Sequence, residues 1–164
     1  MEFTQNTIGT KWYEIHTEMT NCGSYAFNIL EWYSPWPKRE SAETFIDRKL
    51  NSDYSNLPQL VEQIMEMCAE RILQDFASKN IVKISDPRQV HQNQDVVAFR
   101  IAAVPGDKDN FTETDFHFRV CRDGRWTEKV GSKGIRECGF SEDNWPFTHD
   151  IEYDSPIIYF VKDR

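Results

Sequence analysis

The sequence predicts an α+β domain in which N-terminal helices pack on an antiparallel β-sheet. Three observations lead there. Residues 57–78 carry one long apolar stripe at helical spacing. Beyond residue 80 the pattern turns extended, with strict alternation over 115–121 and a two-residue hairpin signal at Asp123-Gly124. Helices therefore precede strands instead of alternating with them, which favours antiparallel strands over a parallel α/β fold.

The elements follow in order. Residues 2–15 are mixed, with a short strand or turn near Trp12-Tyr13. Ala26, Ile29, Leu30 and Tyr33 predict a helix that begins at Cys22 behind Asn21, a strong N-cap, and stops at Ser34-Pro35-Trp36-Pro37. Residues 34–56 read as polar loop with one helical turn near 43–50. In the second helix Leu60, Val61, Ile64, Met65, Cys68, Ile72, Leu73, Phe76 and Ala77 face inward, while Glu62, Glu66, Glu70 and Asp75 face out. Cys68 belongs to that stripe as core filler. Strands are predicted at 81–84, 95–104, 115–121, 125–130 and 155–162, and Pro105-Gly106 stops the second.

Composition narrows the function. With 164 residues the chain is expected to form one domain over 1–164, and its 11 Phe, 6 Tyr and 5 Trp supply the core. A net charge of −8, from 27 acidic against 19 basic side chains, argues against a general nucleic-acid binder. No apolar run approaches the roughly 18 residues of a membrane helix, and the opening Met-Glu-Phe-Thr-Gln-Asn has no signal-peptide character. The expectation is a cytoplasmic protein without a membrane partner. Cys22, Cys68, Cys121 and Cys138 form no C-x-x-C pair and read as free thiols. No His and Cys pair has zinc-ligand spacing, so neither metal nor cofactor is expected.

Chemistry concentrates at Thr20-Asn21-Cys22-Gly23-Ser24. A thiol at the first position of a helix meets free N–H groups and a positive partial charge, which favour a thiolate and can bind a developing oxyanion. Gly23 and Ser24 would leave its approach uncrowded. The plainer alternative is a buried structural thiol. A nucleophilic cysteine needs a base, and His117 is the best placed of His16, His91, His117 and His149. If Asp123-Gly124 is a two-residue loop, Arg122 pairs with Arg125, Cys121 with Trp126, Arg119 with Glu128 and His117 with Val130. Glu128 is then the diagonal neighbour of His117 and can hold its imidazole. Two rivals stand beside this: a simple Arg119–Glu128 ion pair, and Asp115 as the orienting carboxylate.

The segments Asn21-Cys22-Gly23-Ser24-Tyr25-Ala26, Asp115-Phe116-His117-Phe118-Arg119 and Gly124-Arg125-Trp126-Thr127-Glu128-Lys129 resemble the papain-like cysteine peptidases and amidases related to the NlpC/P60 superfamily. The resemblance covers about 22–32, 115–130 and, loosely, 155–162. It implies a papain-like fold and a Cys22-His117-Glu128 triad. It departs from the usual pattern in three ways: Asn-Cys-Gly-Ser stands where Asp-Cys-Ser-Gly is common, the third position is often histidine, and the span from Cys22 to His117 is long. In permuted relatives such as the lecithin:retinol acyltransferase group the histidine precedes the cysteine; here it follows.

The expected function is thiol-dependent hydrolysis of an amide in a protein or peptide substrate, whether peptide, isopeptide, glutamine side chain or peptidoglycan crosslink. An acyl-transferring relative would use the same residues. The alternative is a non-catalytic interaction protein on the same fold, with Trp32, Tyr33, Trp36 and Trp145 as recognition residues unless they pack in the core. An open Cys22–His117 pair near hydrogen-bond range favours the enzyme; a sealed or distant pair favours the binder. An activated Cys22 would also alkylate faster than Cys121 or Cys138.

Overall fold

Two asparagines bracket the first helix. The Asn21 Oδ1 accepts from the Ser24 N–H at 3.0 Å, and the Ser24 hydroxyl accepts from the Asn21 N–H at 3.1 Å. This capping box starts α1 (Cys22–Phe27). Asn28 then turns left-handed, φ 54°, and its N–H reaches back to the Ser24 and Tyr25 carbonyls. Asparagine tolerates that conformation, so the helix closes there. The apolar spacing predicts helix as far as Tyr33; the chain instead leaves α1 after Phe27, and Leu30 is exposed.

The computed structural model describes residues 17–36, 57–89, 92–104, 113–139, 145, 153 and 155–164. The expected features near Trp12-Tyr13 and at 43–50 lie outside the described residues. The long stripe forms α2 (Leu57–Asp75), followed by a 3-10 turn at Ala77–Lys79. Leu60, Ile64, Met65, Cys68, Ala69, Ile72 and Phe76 are buried, while Glu62, Glu66 and Glu70 are exposed. Cys68 is core filler as its spacing indicates, and burial pushes its thiol up to about 12.

Six strands follow: β1 (Val82–Ile84), β2 (Gln94–Val104), β3 (Glu113–Arg122), β4 (Arg125–Lys129), β5 (Ile135–Glu137) and β6 (Ile158–Asp163). They form one sheet in the order β1-β6-β2-β3-β4-β5, and every pairing is antiparallel. The chain is thus α+β. Asp123 and Gly124 both take positive φ, 53° and 78°, which matches the twist of a tight hairpin. The register is the one the loop dictates: Arg122↔Arg125, Cys121↔Trp126 and Arg119↔Glu128. The ladder ends at that last pair, so His117 and Val130 do not join it. β5 has no sequence signal of its own; its three residues are held by pairing with β4.

Alternation along the sheet makes two cores. On one face Phe99, Phe118, Val120 and Phe160 pack against α1 and α2. Phe27 stacks on Phe76 with ring centroids 4.0 Å apart and meets Phe118 edge-on at 5.3 Å. On the other face Val96, Ala98 and Ala102 lie with Trp145, Tyr153 and Tyr159. At the end of the helix-facing side the Asp95 carboxylate is fully buried and bonds Arg122, Lys162 and Arg164 at 2.8, 3.1 and 3.0 Å. Among the described residues no helix is long and apolar enough to cross a membrane.

Candidate functional site

The edge of β3 organises the site. β4 pairs with β3 only over Arg119–Arg122, so at Phe116 the edge is served by side chains. The Phe116 N–H donates to Asp115 Oδ1 at 2.8 Å, and the Phe116 carbonyl accepts from the Cys22 thiol at 3.9 Å. α1 packs on β3 and β4 with its first turn at this opening. The Tyr25 hydroxyl, 2.8 Å from Thr127 Oγ1, ties the same helix to β4.

Neighbouring residues of a strand point to opposite faces, and both strands use this. Phe116 and Phe118 turn toward the helices; His117 and Arg119 turn away. On β4, Glu128 turns toward His117, and Lys129 turns toward the chain ahead of Cys22. His117 Nε2 lies 3.0 Å from Glu128 Oε2. Arg119 Nε donates to that same oxygen at 2.9 Å, and Arg136 Nε donates to Oε1 at 2.7 Å. Burial alone would raise the Glu128 pKa, but the His117 hydrogen bond and the adjacent guanidinium groups prevail and hold it at about 2. Asp115 Oδ2 accepts from the Tyr153 hydroxyl, so Glu128 is the carboxylate that bonds the imidazole. The His117 ring also meets Trp145 edge-on at 5.8 Å and lies tilted against Tyr153 at 5.5 Å.

Cys22 differs from the activated thiol its position suggests. It is 4% exposed, and burial pushes its pKa up to about 12. Hydrogen bonds from the Phe118 and Gly23 backbone oppose the rise, Asp115 adds to it, and Lys129 opposes it. A helix of six residues has too few aligned peptides to offset lost solvation. The neighbours of Cys22 are packed too. A Cβ on Gly23 would stand 2.8 Å from Tyr33 Cδ1, so glycine there serves close packing and opens no approach. Ser24 is buried and committed to the capping box.

His117 and Glu128 are therefore in direct contact, and Cys22 lies against the backbone residue beside His117. Among the described residues no hydrogen bond joins Cys22 to His117, and both are sealed, at 4% and 2% exposure. His16, His91 and His149 lie outside the described residues. Tyr33, Trp36 and Trp145 are core residues; Trp32 is 54% exposed. Among the described residues no three His, Cys, Asp or Glu side chains gather as a metal site requires. Sequence reasoning missed Arg136, which sits on the unforeseen β5. It also missed the partners of Lys129, whose Nζ donates to the Thr20 carbonyl at 2.7 Å and the Gly131 carbonyl at 2.6 Å. Compared with protein-family models, curated proteins and solved structures, the chain matches none of them.

Proposed function

We propose that this chain is a papain-like thiol hydrolase that cleaves an amide bond, with Cys22 as nucleophile, His117 as base and Glu128 orienting the imidazole. The observation that carries the reading is the junction at Phe116. Its carbonyl receives the Cys22 thiol, its chain neighbour is His117, and His117 is bonded to Glu128. Among the described residues His117 is the strand histidine that a buried carboxylate holds in place, and the thiol rests beside its backbone.

The resting thiol is neutral, so the reaction is general-base catalysed. His117 takes the Cys22 proton as sulfur attacks the carbonyl carbon, and the N–H groups at the start of α1 receive the oxyanion. Glu128 stabilises the imidazolium that forms. His117 then returns the proton to the leaving amine, and water hydrolyses the thioester. Another amine in place of water would make the same chain a transferase. Attack requires a rearrangement, since Cys22 is buried on the helix side of the sheet and the His117 ring packs against Trp145 and Tyr153 on the opposite side: the first turn of α1 must uncover and the imidazole must turn toward the thiol. The substrate is a protein or peptide carrying the scissile amide.

A second reading, an interaction protein without turnover, is favoured by the sealing of Cys22 and His117 and by Trp32. That indole stands exposed beside a cavity of about 670 Å³ lined by Tyr33, Arg71 and Asp75. Incubation with peptide, isopeptide and muropeptide amides separates the two. Products that vanish in both Cys22→Ala and His117→Ala support the hydrolase. Binding of the same ligands without products, unaffected by Cys22→Ala and weakened by Trp32→Ala, supports the second.

A further inference from the structure

We propose that the turn after α1 is a docking site for a basic segment of a partner protein, in which Trp32 receives an arginine or lysine side chain and the Glu31 carboxylate meets its charge. The inference goes beyond the hydrolase reading and does not require Cys22 to turn over. Trp32 is exposed and lines a cavity of about 670 Å³ together with Glu31, Tyr33, Arg71 and Asp75. That volume lies within the roughly 300–1,000 Å³ of ligand-sized clefts and takes more than one side chain.

The turn that carries the indole is fastened. The Glu31 carbonyl accepts from the Ser24 hydroxyl at 2.5 Å, and the Tyr33 carbonyl accepts from Asn21 Nδ2 at 2.6 Å. Both neighbours of Trp32 are thus tied to the capping box of α1, and the backbone beneath the indole is ordered before any partner arrives. A tryptophan held at the rim of a cavity is a side chain that anchors protein partners.

The surrounding charge selects the partner. Two carboxylates face one guanidinium in this cavity. Arg71 is already engaged, by Asp75 Oδ2 at 3.2 Å and by the Trp36 carbonyl. Among the described residues the Glu31 carboxylate has no hydrogen bond or ion pair. Asp75 Oδ1 has none either, since Arg71 and the Tyr33 hydroxyl both bond Oδ2. Free carboxylate oxygens beside an aromatic face are what a guanidinium or ammonium group binds. An anionic ligand would be repelled by Glu31, and the net charge of −8 acts in the same sense at longer range.

The test is binding of capped peptides Gly-Leu-Xaa-Leu-Gly to the full chain, where Xaa is arginine, its neutral isostere citrulline, or glutamate. Affinity is read from amide ¹H–¹⁵N shift titrations, and location from the Trp32 indole N–H, assigned with Trp32→Phe. The arginine peptide should move that indole resonance and bind about tenfold tighter than the citrulline peptide, and the glutamate peptide should not bind. Glu31→Gln should weaken the arginine peptide about threefold and Trp32→Ala about fivefold or more. Equal affinity for the arginine and citrulline peptides overturns the proposal, and so does no binding of the arginine peptide up to about 5 mM. A Trp32 resonance that moves with protein concentration alone would place a second copy in the cavity and also overturn it. Every readout is binding. A chain that cleaves no amide can still bind the arginine peptide, and a hydrolase that does not bind it loses only this inference.

Discussion

His117 Nε2 and Glu128 Oε2 lie 3.0 Å apart, and Arg119 reaches the same oxygen at 2.9 Å. The His117–Glu128 contact and the cross-strand ion pair, which compete in the sequence, coexist on one carboxylate. Arg136 on the second oxygen completes its solvation. Glu128 is thus a structural anchor as well as the partner of the imidazole.

The pH dependence of stability tests that anchor. The Glu128 pKa is held at about 2 against an ordinary 4.5, so its stabilisation is fully present above pH 4.5 and is lost as pH falls toward 2. The shift corresponds to about 3 kcal/mol. Urea titrations from pH 6 to pH 2.5 should show this loss, and Glu128→Gln should remove its share of the slope. At pH 7 Glu128→Gln should be destabilised by about 3 kcal/mol or more, because the buried Arg119 guanidinium loses its counter-charge. A variant as stable as the parent contradicts the burial and pairing described.

Asp95 invites the same test at the opposite end of the sheet. Its carboxylate stays ionised although buried, because Arg122 and Lys162 outweigh desolvation. Asp95→Asn leaves Lys162 buried without its carboxylate and should cost about 3–5 kcal/mol in chemical denaturation. A change below about 1 kcal/mol would mean that the cluster is wet and weak.

The start of α1 should be intolerant of small changes. Asn21→Ala removes the cap and the 2.6 Å bond from Nδ2 to the Tyr33 carbonyl, an expected loss of about 2 kcal/mol. Gly23→Ala forces a methyl group against Tyr33 and should destabilise by about 1–3 kcal/mol despite alanine's better helix propensity. Thermal unfolding checks both. A stabilised Gly23→Ala would show that Tyr33 moves freely.

Native thiol labelling should follow burial. Cys121 and Cys138 are partly exposed, whereas Cys22 and Cys68 are buried with thiols near 12. Iodoacetamide at pH 7.5 should modify Cys121 and Cys138 at least about tenfold faster than Cys22. Rapid labelling of Cys22 would contradict the neutral resting thiol and restore the activated thiolate that its position in the sequence suggests.

What the sequence made legible was local. The α2 stripe, the Asp123-Gly124 hairpin and the Arg119↔Glu128 register all follow from spacing within one or two elements. The end of α1 was misread because Ile29, Leu30 and Tyr33 keep helical spacing, while the left-handed Asn28 decides where the helix stops. β5 is three residues long and exists through its neighbour, so no periodicity marks it. The Asp95 cluster joins residues up to 69 positions apart, and nothing near Asp95 announces it. For the site, register was enough to pair His117 with Glu128. A cap signal locates Cys22 at the start of a helix but says nothing about what covers it. The burial that raises its pKa comes from tertiary packing.

The central claim is that Cys22 is the nucleophile with His117 as its base, and covalent trapping of that thiol tests it most directly. The chain is incubated with a panel of peptide vinyl sulfones and peptide thioesters, and the adduct is located by intact mass and peptide mapping. The account predicts modification at Cys22, reduced at least about a hundredfold in His117→Ala and less severely in Glu128→Gln. Adducts confined to Cys121 and Cys138, or a Cys22 adduct that forms equally fast in His117→Ala, would contradict it.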